Sequence, residues 1–198
     1  MRTEKKDSFF ESAKTGAPIP ISAPLVAEAV VLFSLDPAVR RIEYLREMQV
    51  RGQPVRLDAV VLVGDGAREL LEFPEIAAPR DIDQAGLALL AIDQLGLTVR
   101  QVTEAEIRSE PRATNVRMVW GCRAKRVHVD DRVRLLELLG EEGPMALSRA
   151  AAAMQFARGA ISAVLALACA DLIEIELGTA PLGPQWRPCA RLVAGNRA

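Results

Sequence analysis

Apolar positions along the chain change their period several times, and each change marks a different kind of element. Leu25, Ala29, Leu32 and Phe33 recur at helical spacing after Ser22, a residue suited to capping, with Pro24 in the first turn; Asp36-Pro37 ends the run. Glu28 falls close to the apolar face of this helix, where a carboxylate is costly without a partner or a metal. From Val39 to Phe73 the pattern becomes that of strands. Ile42 and Tyr44 alternate with charged residues, Arg51-Gly52 marks a turn, Val55 to Val63 is nearly all β-branched or apolar, and Gly64-Asp65-Gly66 precedes a return over Arg68 to Phe73. The expectation is an antiparallel meander of three strands. A helix over Arg80 to Leu95 stopped by Gly96 and a strand over Leu97 to Val102 follow, the strand lying parallel in the same sheet. Thr103-Glu104-Ala105-Glu106 has the form of a capping box, and Ala113 to Arg126 reads as helical.

After His128 the pattern is all helix and then strand. Asp130-Asp131 can cap a helix through Leu139, Leu147 to Met154 forms a second, and Arg158 to Cys169 a third. Leu172 to Leu177 alternates like a strand, and Cys189 to Val193 can pair beside it. Three helices followed by a β-hairpin describe a winged helix-turn-helix. Residues 1–21 mix charge with Gly16, Pro18 and Pro20 and read as a flexible N-terminal arm. The expected fold class is therefore α/β: a mixed sheet flanked by helices over residues 22–128, then a winged-helix domain over 129–198.

Composition narrows the function classes. Half of the 198 residues are hydrophobic, enough for a buried core. The formal net charge is −1, so a nucleic-acid partner would be held by a local patch and not by a global field. Cys122, Cys169 and Cys189 are isolated from one another, and His128 is the only histidine, which speaks against a structural zinc site. Thiols in odd number fit a reduced, cytoplasmic setting. No apolar run reaches the length of a membrane span.

The candidate chemistry lies in the meander. Asp58 and Glu72 sit on neighbouring strands, and matching parity would let both carboxylates meet one Mg²⁺ or Mn²⁺, with Glu28 as a third acid. Such a metal polarises a phosphate and activates water. Acids on strands are also ordinary solvated residues, so spacing by itself leaves both readings open.

A wider pattern surrounds these acids: LDPAVRRIEY (Leu35 to Tyr44), VRLDAVVLVGDGARELLEF (Val55 to Phe73) and LTVRQVTEAEIRSEPRATNVRMV (Leu97 to Val119), in that order after the Glu28 helix. Together they resemble the N-terminal domain of TnsA-type transposon endonucleases over residues 22–126. The resemblance implies a restriction-endonuclease-like fold, a partnership with a transposase and an ATPase regulator, duplex DNA as substrate and a winged-helix-like second domain. It matches Glu28 to the helix acid, Asp58 to the acid of the Pro-Asp-Phe motif and Glu72 to the acid or amide before the family's lysine.

Two positions depart from that pattern. Leu57 replaces the proline before Asp58, and Pro74 stands where the lysine would be. Proline has neither charge nor donor to position water or offset phosphate charge. The implied protein is a TnsA-like one with a degenerate site, acting in DNA binding or complex assembly. The alternatives are an active Mg²⁺-dependent endonuclease with a relocated catalytic cation, and a winged-helix transcriptional regulator with the first domain as a dimerisation scaffold. A homodimer is left open.

For DNA contacts the sequence offers Arg56 and Arg80 near the acids, the run Arg112, Arg123, Lys125 and Arg126, and Arg158 at the start of the third late helix. The run cannot form one helical stripe, so part of it is expected to be a solvated face. The late helix itself carries only Arg158 and Ser162 as groove-facing chemistry, thin for base readout.

Overall fold

Contacts within the chain divide it into two units, residues 1–107 and 108–198. The computed structural model describes residues 8–77, 79–178, 180–183 and 188–190. In the first unit, β1 (Ser8–Phe10) and β2 (Ile19–Ile21) pair antiparallel and lead into α1 (Pro24–Ser34). Then come β3 (Arg41–Val50), β4 (Gln53–Val63), β5 (Arg68–Glu72), α2 (Ile82–Gln94), β6 (Thr98–Gln101) and the short α3 (Glu104–Ile107). The sheet order is β3-β4-β5-β6, antiparallel through β5 and parallel between β5 and β6. The unit is thus a mixed α/β structure with a four-stranded mixed sheet flanked by helices.

Local chemistry explains the turns. Val50 pairs with Gln53 across a two-residue loop in which Arg51 and Gly52 both have positive φ, 50° and 80°. That is the hairpin geometry whose twist matches the strands. A helix must intervene before a parallel strand, and α2 supplies it: the Asp81 carboxylate accepts from the Gln84 N–H at 2.8 Å to start the helix, and Gly96 at φ 61° ends it. Ala88 and Ala91 of α2 let the helix approach closely, covering Val55, Leu57, Ala59, Val61 and Leu70 together with Leu97. On the opposite face the Arg100 guanidinium of β6 lies 4.9 Å over the Phe33 ring of α1, so the two helices flank the sheet.

Three expectations need correction here. The segment before α1 is not a loose arm over residues 8–21: besides the β1–β2 pair, Thr15 bridges to Ile42, and the buried Lys14 donates from Nζ to the Asp36 carbonyl at 2.5 Å. An ammonium ordered this way is a tertiary feature that no local pattern announces. The residue at the N-cap of α1 is Ala23, not Ser22. The boundary between units falls after Ile107 and not near residue 128, because α4 (Arg112–Trp120) packs on α7 (Ala160–Cys169).

The second unit continues through α5 (Val129–Glu142), α6 (Leu147–Ala152) and α7, then β7 (Ile173–Glu174) paired antiparallel with β8 (Cys189–Ala190). The strand expected to run on to Val193 leaves the described residues after Ala190. Helix α5 is capped by His128, whose Nδ1 accepts from the Asp130 N–H at 3.3 Å, and not by the aspartates. Asp131 is instead buried, accepting from the backbone N–H groups of Gln155 (2.7 Å) and Phe156 (3.1 Å to Oδ2) in the turn between α6 and α7. Asn115 of α4 is wholly buried as well. It donates to the carbonyls of Leu177 (2.9 Å) and Ala180 (2.7 Å) and accepts from the Leu182 N–H (2.8 Å), tying the loop after β7 to α4. Among the described residues, no helix is long and apolar enough to cross a membrane.

Candidate functional site

Asp58 lies at an irregularity in the β3–β4 ladder. The register shifts between Leu45 and Glu47, so that Leu57 and Asp58 together face the single Arg46. A bulge of this kind bends the strand and re-aims a side chain. Asp58 takes φ 44°, a left-handed conformation that aspartate tolerates better than most residues. Its carboxylate is then held from two sides. Tyr44 OH donates to Oδ1 at 2.8 Å, and Arg56 Nε lies 2.7 Å from Oδ2. Burial, followed by the hydrogen bond and charge of Asp58, raises the Tyr44 phenol from 10.0 to about 12. Tyr44 therefore stays protonated, donating to Asp58, throughout the physiological range.

Glu72 does not join this cluster. Tyr44 pairs with Val60, which sets Tyr44 and Asp58 on one face of the sheet. Leu70 pairs with Val61, so alternation along β5 puts Glu72 on the other face, towards α2. The expectation that matching parity brings the two carboxylates to one metal is not met, since Val63 pairs with Arg68 and this register sets residues of opposite parity side by side, leaving Asp58 and Glu72 on opposite faces. Glu72 Oε2 accepts instead from Gln101 Nε2 at 3.4 Å, its neighbour on β6. Glu28 is half-buried on α1. Among the described residues, no group of three His, Cys, Asp or Glu side chains is arranged to hold a metal ion.

Pro74 has a structural role. Strand β5 ends at Glu72, and the Ile76 N–H bonds to the Phe73 carbonyl at 3.1 Å, closing a turn with Pro74 in its second position. Proline suits that position because its ring presets φ. Glu75 in the same turn accepts from the Glu104 N–H at 3.0 Å at the start of α3. Pro74 is therefore in a turn, not on the strand.

The expected DNA-contacting residues separate into groups. Arg56 is paired with Asp58, and Arg80 reaches the Leu57 carbonyl at 3.4 Å. Arg112 begins α4. Arg123 folds back on its own helix end, its guanidinium 5.3 Å over the Trp120 ring and Nη1 donating to the Trp120 carbonyl at 3.2 Å. Trp120 itself is half-buried. Lys125, Arg126 and Arg158 converge on a cleft of about 570 Å³ in the second unit, beside His128 and Phe156. Sequence reasoning missed Tyr44, His128 and Phe156 as members of these sites. For Tyr44 a signal existed, because counting back from the Arg51-Gly52 turn brings it level with the Asp58 region. Cys169 is a poor nucleophile, its thiol pushed up to about 12 by burial and by neighbouring Cys122.

No protein-family model matches the chain, and no curated protein matches it.

Proposed function

We propose that this chain is a TnsA-related protein that retains a restriction-endonuclease-like frame without cleaving DNA. In this role it binds duplex DNA and assembles with a transposase or an ATPase regulator in transposition-type DNA transactions. The occupied Asp58 carboxylate carries the proposal: Tyr44 and Arg56 take the positions that a divalent cation would need. The order α1, three antiparallel strands, α2 and a parallel strand, with helices on both faces, supports the nuclease-type frame. The three helices and short antiparallel pair of the second unit support a winged-helix domain. The turn at Pro74 and the separation of Asp58 from Glu72 favour loss of cleavage over relocation of the catalytic cation.

Plasmid nicking in Mg²⁺ or Mn²⁺ tests the loss of cleavage. The wild type, Asp58→Ala and Pro74→Lys are all expected to leave supercoiled plasmid intact, because restoring a lysine does not bring Glu72 to the face of Asp58. Nicking by the wild type that Asp58→Ala abolishes would contradict the proposal.

A further inference from the structure

Helix α7 is in the place of a groove-reading helix, yet Ala163 to Ala168 are all buried and its exposed surface includes the apolar Ile161. Side chains of that kind offer no hydrogen-bonding code to base edges. Three basic side chains of this unit instead gather at a cleft next to the start of α7. Lys125, Arg126 and Arg158 line it, and no carboxylate is among its described lining residues. Two acids stand behind it: Asp130, 3.5 Å from His128 Nδ1, and the buried Asp131, bonded to the Phe156 N–H.

The cleft is a built structure and not a chance meeting of surface cations. Lys125 Nζ donates to the Arg158 carbonyl, joining the segment before α5 to the turn before α7. Asp131, buried, holds the other side of that turn through the N–H groups of Gln155 and Phe156. The His128 and Phe156 rings pack with centroids 4.8 Å apart. Gly159 has φ 74°, and a Cβ there would meet Lys125 Nζ at 3.2 Å and Ser162 Oγ at 3.1 Å, so both the conformation and the close approach favour glycine. The N-cap of α7 is this glycine, with no side chain capping the first turn, which leaves the helix end favourable to an anion beside the three cations.

We propose that this cleft is a phosphate clasp for the backbone of duplex DNA, with Arg126 and Arg158 as the contacting guanidiniums and Lys125 as the strut that spaces them. The proposal rests on the reading above only in taking DNA as the ligand; it is independent of whether the first unit cleaves. Arginine forks suit phosphate oxygens in a bidentate fashion, and contacts to the backbone carry affinity without sequence information. Binding through this clasp is therefore salt-dependent and sequence-tolerant.

Fluorescence anisotropy of the full chain with a labelled duplex, titrated over a range of salt concentrations, tests the clasp. Each phosphate contact contributes about 0.9 to the slope of log affinity against log salt. The Arg126→Gln/Arg158→Gln double variant is expected to lower the slope by about 2 and the low-salt affinity by about tenfold or more. Arg117→Gln, which removes from α4 a charge paired with Glu110, leaves the slope unchanged. Far-ultraviolet circular dichroism checks that the double variant keeps its fold, and the double lysine variant keeps most of the slope. A double variant that titrates like the wild type overturns the clasp, as does a wild type that binds no duplex. Displacement of the duplex by submillimolar nucleoside triphosphate overturns it too, since the cleft would then be a mononucleotide pocket. None of these outcomes depends on plasmid nicking, which separately decides whether the first unit is catalytic.

Discussion

Replacing Asn115 with alanine is expected to destabilise the second unit by about 2–4 kcal/mol, the cost of leaving buried carbonyl and amide groups without partners. The side chain is wholly buried and uses both ends: its amide nitrogen donates to Leu177 and Ala180, and its oxygen accepts from Leu182. Nothing else in alanine can replace these bonds. Asn115→Asp separates this specific role from mere volume. It preserves the shape but aims an acceptor at two carbonyl oxygens, so it should be more damaging than Asn115→Ala. Urea unfolding followed by circular dichroism gives the midpoints, and amide exchange should be faster at Leu182, whose N–H bonds to the Asn115 oxygen. Equal midpoints for Asn115→Ala and wild type would show that the loop is held by something other than this side chain.

Asp131→Ala should have an effect of similar size, about 2–4 kcal/mol, because hydrogen bonds to a charged group are each stronger than neutral ones. The carboxylate is 1% exposed and is satisfied by two backbone N–H groups in the turn between α6 and α7. Its place in the first turn of α5 also favours a negative charge, since the helix N-terminus carries the positive end of the dipole. Removing it frees the turn that presents Phe156 and Arg158, so duplex binding should weaken along with the unfolding midpoint. Asp131→Asn keeps one acceptor oxygen and should recover part of the stability. If Asp131→Ala lowers stability but leaves the salt slope at the wild-type value, the turn does not need this anchor to present its arginine.

Much of the first unit was legible in the chain. The Arg51-Gly52 and Gly64 to Gly66 turns delimit a meander that forms as expected, and the helix ended by Gly96 delivers β6 parallel to β5. These features are legible because they follow from local geometry and strand period. The illegible parts depend on contacts distant in sequence. Asn115 meets residues more than sixty positions away, which draws α4 into the second unit although its sequence continues smoothly from the first. Lys14 orders the N-terminal segment through Asp36, and neither residue's neighbours signal the pairing.

The candidate site was legible in its residue types but not in its geometry. Asp58 alternates with apolar neighbours as any strand acid would, and the register of its neighbours, not its residue type, sets it beside Tyr44 and on the face away from Glu72. Asp130-Asp131 carries the composition of a helix cap. The cap is His128, and Asp131 has the different task of holding a turn twenty-four residues ahead. Three of the cations proposed for DNA contact do converge, because the segment before α5 and the turn before α7 are joined by Lys125.

The central claim is that the Asp58 carboxylate is committed to Tyr44. Tyr44 is the only tyrosine in the chain, so the growth of tyrosinate absorbance with pH reports this one contact. Its folded value is raised above the ordinary 10.0, so the neutral phenol is the favoured form. The stability it contributes is complete below pH 10.0 and is lost as pH rises towards about 12. An alkaline titration of the folded protein, with circular dichroism followed alongside, should give a midpoint near 12. In Asp58→Asn that midpoint should move down towards 10.0, stopping short because burial remains the larger cause. A wild-type midpoint at the ordinary value, unchanged by Asp58→Asn, would mean that the carboxylate is not held by Tyr44 and is open to a metal.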